Sequence, residues 1–347
     1  MKHNGFTIIE LMIAVFISSL VIAGAFNIQT VFNQTSQQQE EISDMQNTLD
    51  GLKNYMRRTL KNSGAGMATN VEIRSCSGAT EILPVINIHN RNNYPVWSDF
   101  ADGGTDNDPD WIEFIHPTSV AVTSVYDWFS PTWAKVYSTV GFTAGDVVAV
   151  NVGAFSCIRR INYILNSNPS YLGWYSRGGA YCINPGDDSH PSCGISNNTY
   201  NPTQTVTITS LGEFPFQALR IDNTTYKRPI LMHGIRTEQN GQSTYTWSPL
   251  AENVEDMQIA WHLDTSVPMD ERGDIWINSR DPLPTENGRI RSIRISLVVR
   301  TFRDNSKIRS FRPAFEDRTA GTPDNYKRRT ITFNISMPNR PITGGTL

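Results

Sequence analysis

Residues 6–26 carry a single charge, Glu10, in an otherwise apolar run, and the pattern changes character immediately afterwards. A helix of that length spans roughly 30 Å at ~1.5 Å per residue, enough to cross the hydrocarbon core of a bilayer. From Ile28 onward, Val31, Phe32, Thr35, Ile42, Met45, Leu49, Leu52, Met56 and Leu60 recur at threes and fours, with Gln, Glu, Asp and Lys between them. That spacing predicts one amphipathic stripe continuing out of the apolar run. No proline precedes Pro84, and the glycines of "NSGAGM" at 62–67 suit a helix end. A single helix of about 85 Å from Phe6 to near Asn62 is expected, flexing at Gly24 if anywhere. The tract "NQTSQQQ" at 33–39 interrupts the stripe, and the half beyond it is expected to pack on the chain's own following sheet rather than form a free coiled coil.

After residue 67 short alternating runs are punctuated by Gly, Pro, Asn and Asp, the pattern of an all-β region. "DWIEFI" at 110, "GDVVAVNV" at 145, "CIRRINYIL" at 157, "QTVTITS" at 204 and "FQALRI" at 216 read as strands. Asn240-Gly241 between two strand-like arms marks a hairpin. Three late runs place Met257, Ile259, Trp261 and Leu263, then Ile293, Ile295, Leu297 and Val299, then Ile331, Phe333, Ile335 and Met337 each on one face. These strands are expected to form the sheet that covers the helix. The expected fold class is α+β: one long N-terminal helix packed on a β-rich C-terminal head. Residues 68–347 are long enough for one elaborated head, and no internal repeat is evident.

Lys2 and His3 precede the apolar run with no acidic residue among them, so the positive-inside bias orients the helix N-in and sends the head across the membrane. The run is too long for an ordinary signal peptide, and a carboxylate inside lipid needs a cation at the same depth. Gly5, Phe6, Thr7 and Glu10, followed by an unbroken apolar helix, resemble the leader junction of type IV prepilins and type II secretion pseudopilins. The resemblance implies that a prepilin peptidase removes residues 1–5 by cutting between Gly5 and Phe6 and that Phe6 becomes the N-methylated first residue. Residues 6–27 are then the transmembrane half of the helix and 28–63 its amphipathic half. Glu10 lies one helical turn after Phe6, on the same face and near the positive end of the helix dipole, so the Phe6 amine, its own or a neighbour's, is the implied cation.

The closing segments narrow the family. "PLAENVEDMQIAWHLDT" at 249–265, "IRSIRISLVVRT" at 290–301 and "YKRRTITFNISMPNR" at 326–340 resemble those of PilW-like minor pilins. Trp261-His262 and the inserted-looking segment 166–203 depart from that pattern. The resemblance implies a structural minor pilin that initiates or caps type IV pilus assembly within a tip or priming complex. Its implied partners are the peptidase, other minor pilins and the major pilin through the helix, the inner-membrane assembly platform, a tip adhesin, and the bilayer before assembly. The implied location is the bacterial inner membrane with a periplasmic head, then the pilus at the cell surface. The alternatives are a type II secretion pseudopilin and a tip adhesin or DNA-binding pilin.

Candidate chemistry in the head changes this picture little. Cys76, Cys157, Cys182 and Cys193 face an oxidising compartment, lack any CxxC or zinc spacing, and are disulfide candidates. Three connectivities are open; Cys182 and Cys193 bracket a loop, which favours that pair and leaves Cys76 with Cys157. Asp102, Asp106, Asp108 and Asp110 could wrap a calcium ion, but EF-hand spacing is absent and a solvated turn leading into a strand is the favoured reading. No other cofactor is expected. Eleven aromatics between Tyr94 and Phe142 are expected to be mostly core, a glycan or partner surface being the alternative. A run of bases from Arg289 to Arg312 offers a nucleic-acid patch, yet the net charge is −3 and arginines on a strand's outer face usually pair with carboxylates, so nucleic acid is not the expected partner. No GxSxG, HExxH or phosphate-gripping glycine loop appears, and the chain is not expected to be an enzyme.

Overall fold

The computed structural model describes residues 8–67, 70–74, 80–83, 85–89, 109–119, 121–130, 133–152, 155–174, 205–223, 225, 228–239, 242–264, 275–278, 282, 286, 290–304, 309–316 and 318–337. One helix, α1 (Ile8–Lys61), precedes eighteen strands among these residues. In chain order they are β1 (Asn70–Arg74), β2 (Thr80–Leu83), β3 (Ile86–His89), β4 (Trp111–Ile115), β5 (Val122–Ser130) and β6 (Trp133–Val136). Next come β7 (Val147–Val152), β8 (Phe155–Arg160), β9 (Tyr163–Leu165), β10 (Ser170–Gly173), β11 (Val206–Gly212) and β12 (Phe216–Asp222). The last six are β13 (Ile230–Gln239), β14 (Gln242–Glu252), β15 (Val254–Leu263), β16 (Ile275–Ile277), β17 (Ile290–Arg300) and β18 (Arg328–Ser336).

The strands form three sheets, ordered β2-β1-β8-β7-β11-β5-β6-β10-β9, β14-β13-β12-β4-β3 and β16-β15-β17-β18. The last is the sheet expected from the three alternating runs: β15, β17 and β18 pair antiparallel, and β17 and β18 lie against α1. Met45, Leu49, Leu52, Met56 and Leu60 of α1 join Met257, Ile259, Trp261, Ile293, Ile295 and Phe333 in one core that also reaches β4 and β12. Trp261 is fully buried there, so the Trp-His departure fills the core rather than disturbing it.

The stripe read from the sequence is buried only in its second half. Val31 and Phe32 are exposed, and so is Thr35, whose hydroxyl donates to Val31 O at 2.9 Å within the helix. Packing begins at Ile42, because the sheet reaches no further down the helix. At the other end the chain leaves α1 through a turn in which Gly64 has φ 72° and its amide donates to Ile115 O at 2.9 Å. A side chain there would be strained and would strike Val85, so the glycine is what lets the helix end against β4.

The run "VVAV" of β7 is buried on both faces. Val147 and Ala149 face the core under α1, whereas Val148 and Val150 face a second core with Val125, Val136, Leu172 and Ile208. A strand covered on both sides reads as continuous apolar sequence instead of alternation. The single strand expected at "CIRRINYIL" is two, β8 and β9. The break comes where Ile161 exchanges backbone hydrogen bonds with Gly145 and Asp146 and Asn162 donates to Gly173 O, which hands the chain from β7 to β10.

Asp110 does not stand in a solvated turn. This residue is buried; its Oδ2 accepts from Ile259 N at 2.6 Å while its own amide donates to Met257 O at 2.8 Å. A carboxylate that accepts from a buried backbone amide bolts the start of β4 to β15. Among the described residues no group of His, Cys, Asp and Glu can hold a metal. Asp102, Asp106 and Asp108 lie outside the described residues, as do Cys76, Cys182, Cys193 and the side chain of Cys157.

Candidate assembly surface

The first half of α1 is exposed along its length. Its apolar stretch is wholly unburied, so the sequence presents a membrane-length apolar rod projecting from the head. Glu10 sits in its first turn and is exposed. Gly5 and Phe6 lie outside the described residues. Thr30 and Thr35 turn their hydroxyls back onto the helix carbonyls of Phe26 and Val31, which satisfies them without an external partner.

The head grips the rod at two levels. At the lower level, nearest the apolar half, Lys327 Nζ donates to Gln38 Oε1 at 3.1 Å. Here the two closing motifs meet: Arg328 Nη2 donates to Glu255 Oε1 at 2.9 Å and its Nη1 to Asp324 Oδ1 at 2.7 Å. Although burial opposes the charge, the hydrogen bonds Arg328 donates to these two carboxylates raise its pKa. The same bond to Arg328 holds Asp324 below its ordinary value, against partial burial. Next door, Asp256 is fully buried and accepts from Arg312 Nη1 at 2.8 Å, from Gln258 Nε2 at 3.0 Å and from Arg318 Nη1. Arg294 makes a two-pronged pair with Glu316 at 2.7 and 2.9 Å, and Arg291 donates to buried Asp264 at 2.9 Å. Much of the basic run thus folds the segment after β17 back onto the sheet, as carboxylate pairing predicts. The bulk of this network was not legible in advance. The acidic pair Glu255-Asp256 at a strand start and the arginines at 312, 318 and 328 were its only signal.

At the upper level two half-buried histidines wedge between α1 and the second sheet. His116 Nδ1–H donates to Thr59 O at 3.1 Å, and His233 Nε2–H donates to Gln217 Oε1 at 3.0 Å while lying edge-on to Tyr55. The charged or titratable groups facing them are Tyr55 and Arg58 of α1 and each other. Burial lowers the His116 pKa, the bond to Thr59 offsets part of this, and Arg58 adds to the lowering. Burial likewise lowers His233, reinforced by His116. Both histidines are therefore neutral in the fold at pH values where an unfolded chain would already take up protons. Above the ordinary value of 6.5 they cost nothing, and below it stability falls as pH falls toward their lowered values. The expected result is a melting temperature that drops on acidification from neutral, with a smaller drop in His116→Gln/His233→Gln; an unchanged slope in that double variant counts against the junction as the origin.

The expected aromatic core is divided. Phe114 and Phe142 are buried, Trp111 stacks on buried His89 at 3.8 Å, and Tyr126 and Tyr137 are exposed. The hairpin is present, with Gln239 paired to Gln242 around Asn240-Gly241, which themselves lie outside the described residues.

Comparison with known proteins bears on the rod and the lower grip together. Residues 1–26 match the family described as Prokaryotic N-terminal methylation motif. Residues 219–339 match the family described as Type IV Pilus-assembly protein W. The C-terminal third of the chain is PilW-like. The PilW match starts inside β12 and takes in β13 to β18, so it contains the sheet over α1, the Glu255–Arg328 pair and the Asp256 network. A solved type IV-like pilin from Thermus thermophilus is similar at 12% identity over 36% of this chain and 69% of that chain, with a TM-score of 0.21. Curated proteins give no match. The methylation-motif match and the exposed apolar half of α1 support membrane anchoring and a pilin-type role.

Proposed function

We propose that this PilW-like chain is a minor pilin that initiates or caps a type IV pilus as part of a priming complex, and that its work is structural. The observation that carries the reading is the exposed apolar rod, continuous with the half of α1 that packs in the head's core. A soluble binding protein has no use for such an element, whereas a helical assembly buries it against its neighbours. In this reading the peptidase cuts between Gly5 and Phe6, the helix waits in the inner membrane with the head outside, and Glu10 meets the Phe6 amine of an adjacent subunit. The match to a pilus-assembly family supports a pilus over a secretion system.

The test is electron microscopy of a deletion strain and its complemented counterpart. Loss of surface pili on deletion, restored by the intact gene, is expected. Normal pili with a loss of secreted enzymes would replace this reading by the pseudopilin one, and normal pili with lost attachment would replace it by the adhesin one.

A further inference from the structure

The edge strands β9, β10, β6 and β5 bury one face on the second core and turn the other to solvent. Alternation puts Ala134, Val136 and Leu172 inside and leaves Tyr163, Leu165, Tyr171, Trp133, Lys135 and Tyr126 outside. Polar residues belong on such a face, and rings stand there instead. Tyr137 is 74% exposed, Leu165 51%, Tyr163 44% and Tyr126 37%, so these groups do not complete the core.

The rings are arranged as a floor. Gly173 pairs directly with Trp133 on one side and Tyr163 on the other. A Cβ on Gly173 would meet three atoms of the Trp133 ring at 2.9, 2.9 and 3.0 Å. Three nearly equal distances mean that the indole lies flat over the glycine, with its opposite π-face turned outward. Tyr163 lies beside it, centroids 5.8 Å apart and planes within 19°. Tyr171 meets Trp133 edge-on at 6.4 Å, and Tyr126 and Tyr137 continue the surface at 5.2 Å from one another.

The polar groups on and around this floor are short and self-neutralised. Lys135 Nζ donates to Asp127 Oδ2 at 2.6 Å, so the charged pair on the face cancels. Thr139 donates to Asn166 at 2.6 Å, and the Ser167 and Ser170 hydroxyls lie at the rim near β10. Flat rings interrupted by hydroxyls, an amide and a closed ion pair present alternating apolar and hydrogen-bonding strips. The charged pair on this face is closed, so nothing there selects a charged partner. A pyranose chain has the complementary make-up, with C–H faces that lie on aromatic planes and equatorial hydroxyls that reach the flanks. With no net charge to match, the complementary chain is a neutral one.

We propose that the outer face of β9, β10 and β6 binds a neutral polysaccharide, its sugar rings stacking on Trp133 and Tyr163. The face belongs to strands of the second core, which contains no residue of α1, and the proposal is independent of whether an assembly is primed or capped by this chain.

The test is isothermal titration of the full chain in detergent micelles with cellohexaose, chitohexaose and maltohexaose, followed by retention in gels containing the corresponding polymers. At least one of the three is expected to bind, and Trp133→Ala and Tyr163→Ala each to weaken it about tenfold. Tyr163 is exposed enough that its substitution leaves the fold intact, which separates a lost site from a lost structure. Binding of none of the three overturns the proposal, as does a Tyr163→Ala protein that binds as tightly as the parent. Unchanged sugar binding together with altered self-association or capture of another pilin would make the face a protein contact and also overturn it. Pilus numbers in the same variants report separately on the assembly reading.

Discussion

Replacing Asp256 by Ala is expected to destabilise the head by about 3–5 kcal/mol, the usual cost of removing one partner from a buried ion pair. The carboxylate is fully buried, and Arg312 is only 7% exposed. Arg312 Nη1 and Arg318 Nη1 both donate to it, and Arg312 Nη2 also donates to Thr319 O at 2.8 Å, which fastens the segment after β17 over the sheet. Without Asp256 two guanidinium groups face a dry strand with no counter-charge, so the segment must lift to hydrate them. Because β15 and β17 carry Trp261 and Ile295 on their other faces, loosening this side is felt in the core against α1. Denaturant unfolding followed by tryptophan fluorescence measures the loss. Asp256→Asn, which keeps the shape and the Gln258 contact, is expected to cost less than Asp256→Ala. Equal losses would assign the effect to packing instead of charge, and a loss under about 1 kcal/mol would mean the network is dispensable.

The elements that could be read in advance are those with a local signal. The helix is announced by the spacing of Met45, Leu49, Leu52, Met56 and Leu60, and β15, β17 and β18 by strict alternation, because one face of each is buried and the other is not. What escaped is non-local. His116 and His233 are far apart in sequence and become neighbours only because β4, β12 and β13 are adjacent in one sheet. Asp110 resembled part of an acidic turn, since nothing in its surroundings reveals that Ile259 N will point at it. The arginines gave a basic run whose partners, Asp256, Asp264 and Glu316, belong to other segments. The aromatic floor is half legible: Trp133, Tyr126 and Tyr137 stand in the rich stretch, but Tyr163 and the glycine beneath Trp133 join them only through the pairing of β9, β10 and β6. The leader junction is the opposite case, a short motif whose meaning is carried entirely by adjacent residues.

A strain whose copy of this chain carries Glu10→Ala is expected to lose most surface pili while still making and cleaving the protein. Glu10 is in the first turn of α1, far along the rod from the core that folds the head, so the substitution leaves Met56, Leu60 and their contacts untouched. Removing it also makes the apolar run more apolar, so insertion into the bilayer is, if anything, favoured. What changes is the balance of charge when helices are drawn together out of lipid. On the proposed cleavage after Gly5, the new amine at Phe6 would need a carboxylate at its own depth, since in hydrocarbon an uncompensated charge costs several kcal/mol. Register is then set by charge: sliding one subunit past another by a turn separates the pair, and the penalty restores alignment. Glu10→Asp keeps the charge on a shorter arm and is expected to retain more pili than Glu10→Gln, which keeps the length and loses the charge. That ordering distinguishes electrostatic pairing from steric fit, for which Gln would be the better substitute. Immunoblotting for the cleaved form guards against a simple failure of processing, and normal piliation with Glu10→Ala would show that apolar packing of the rods alone sets their register.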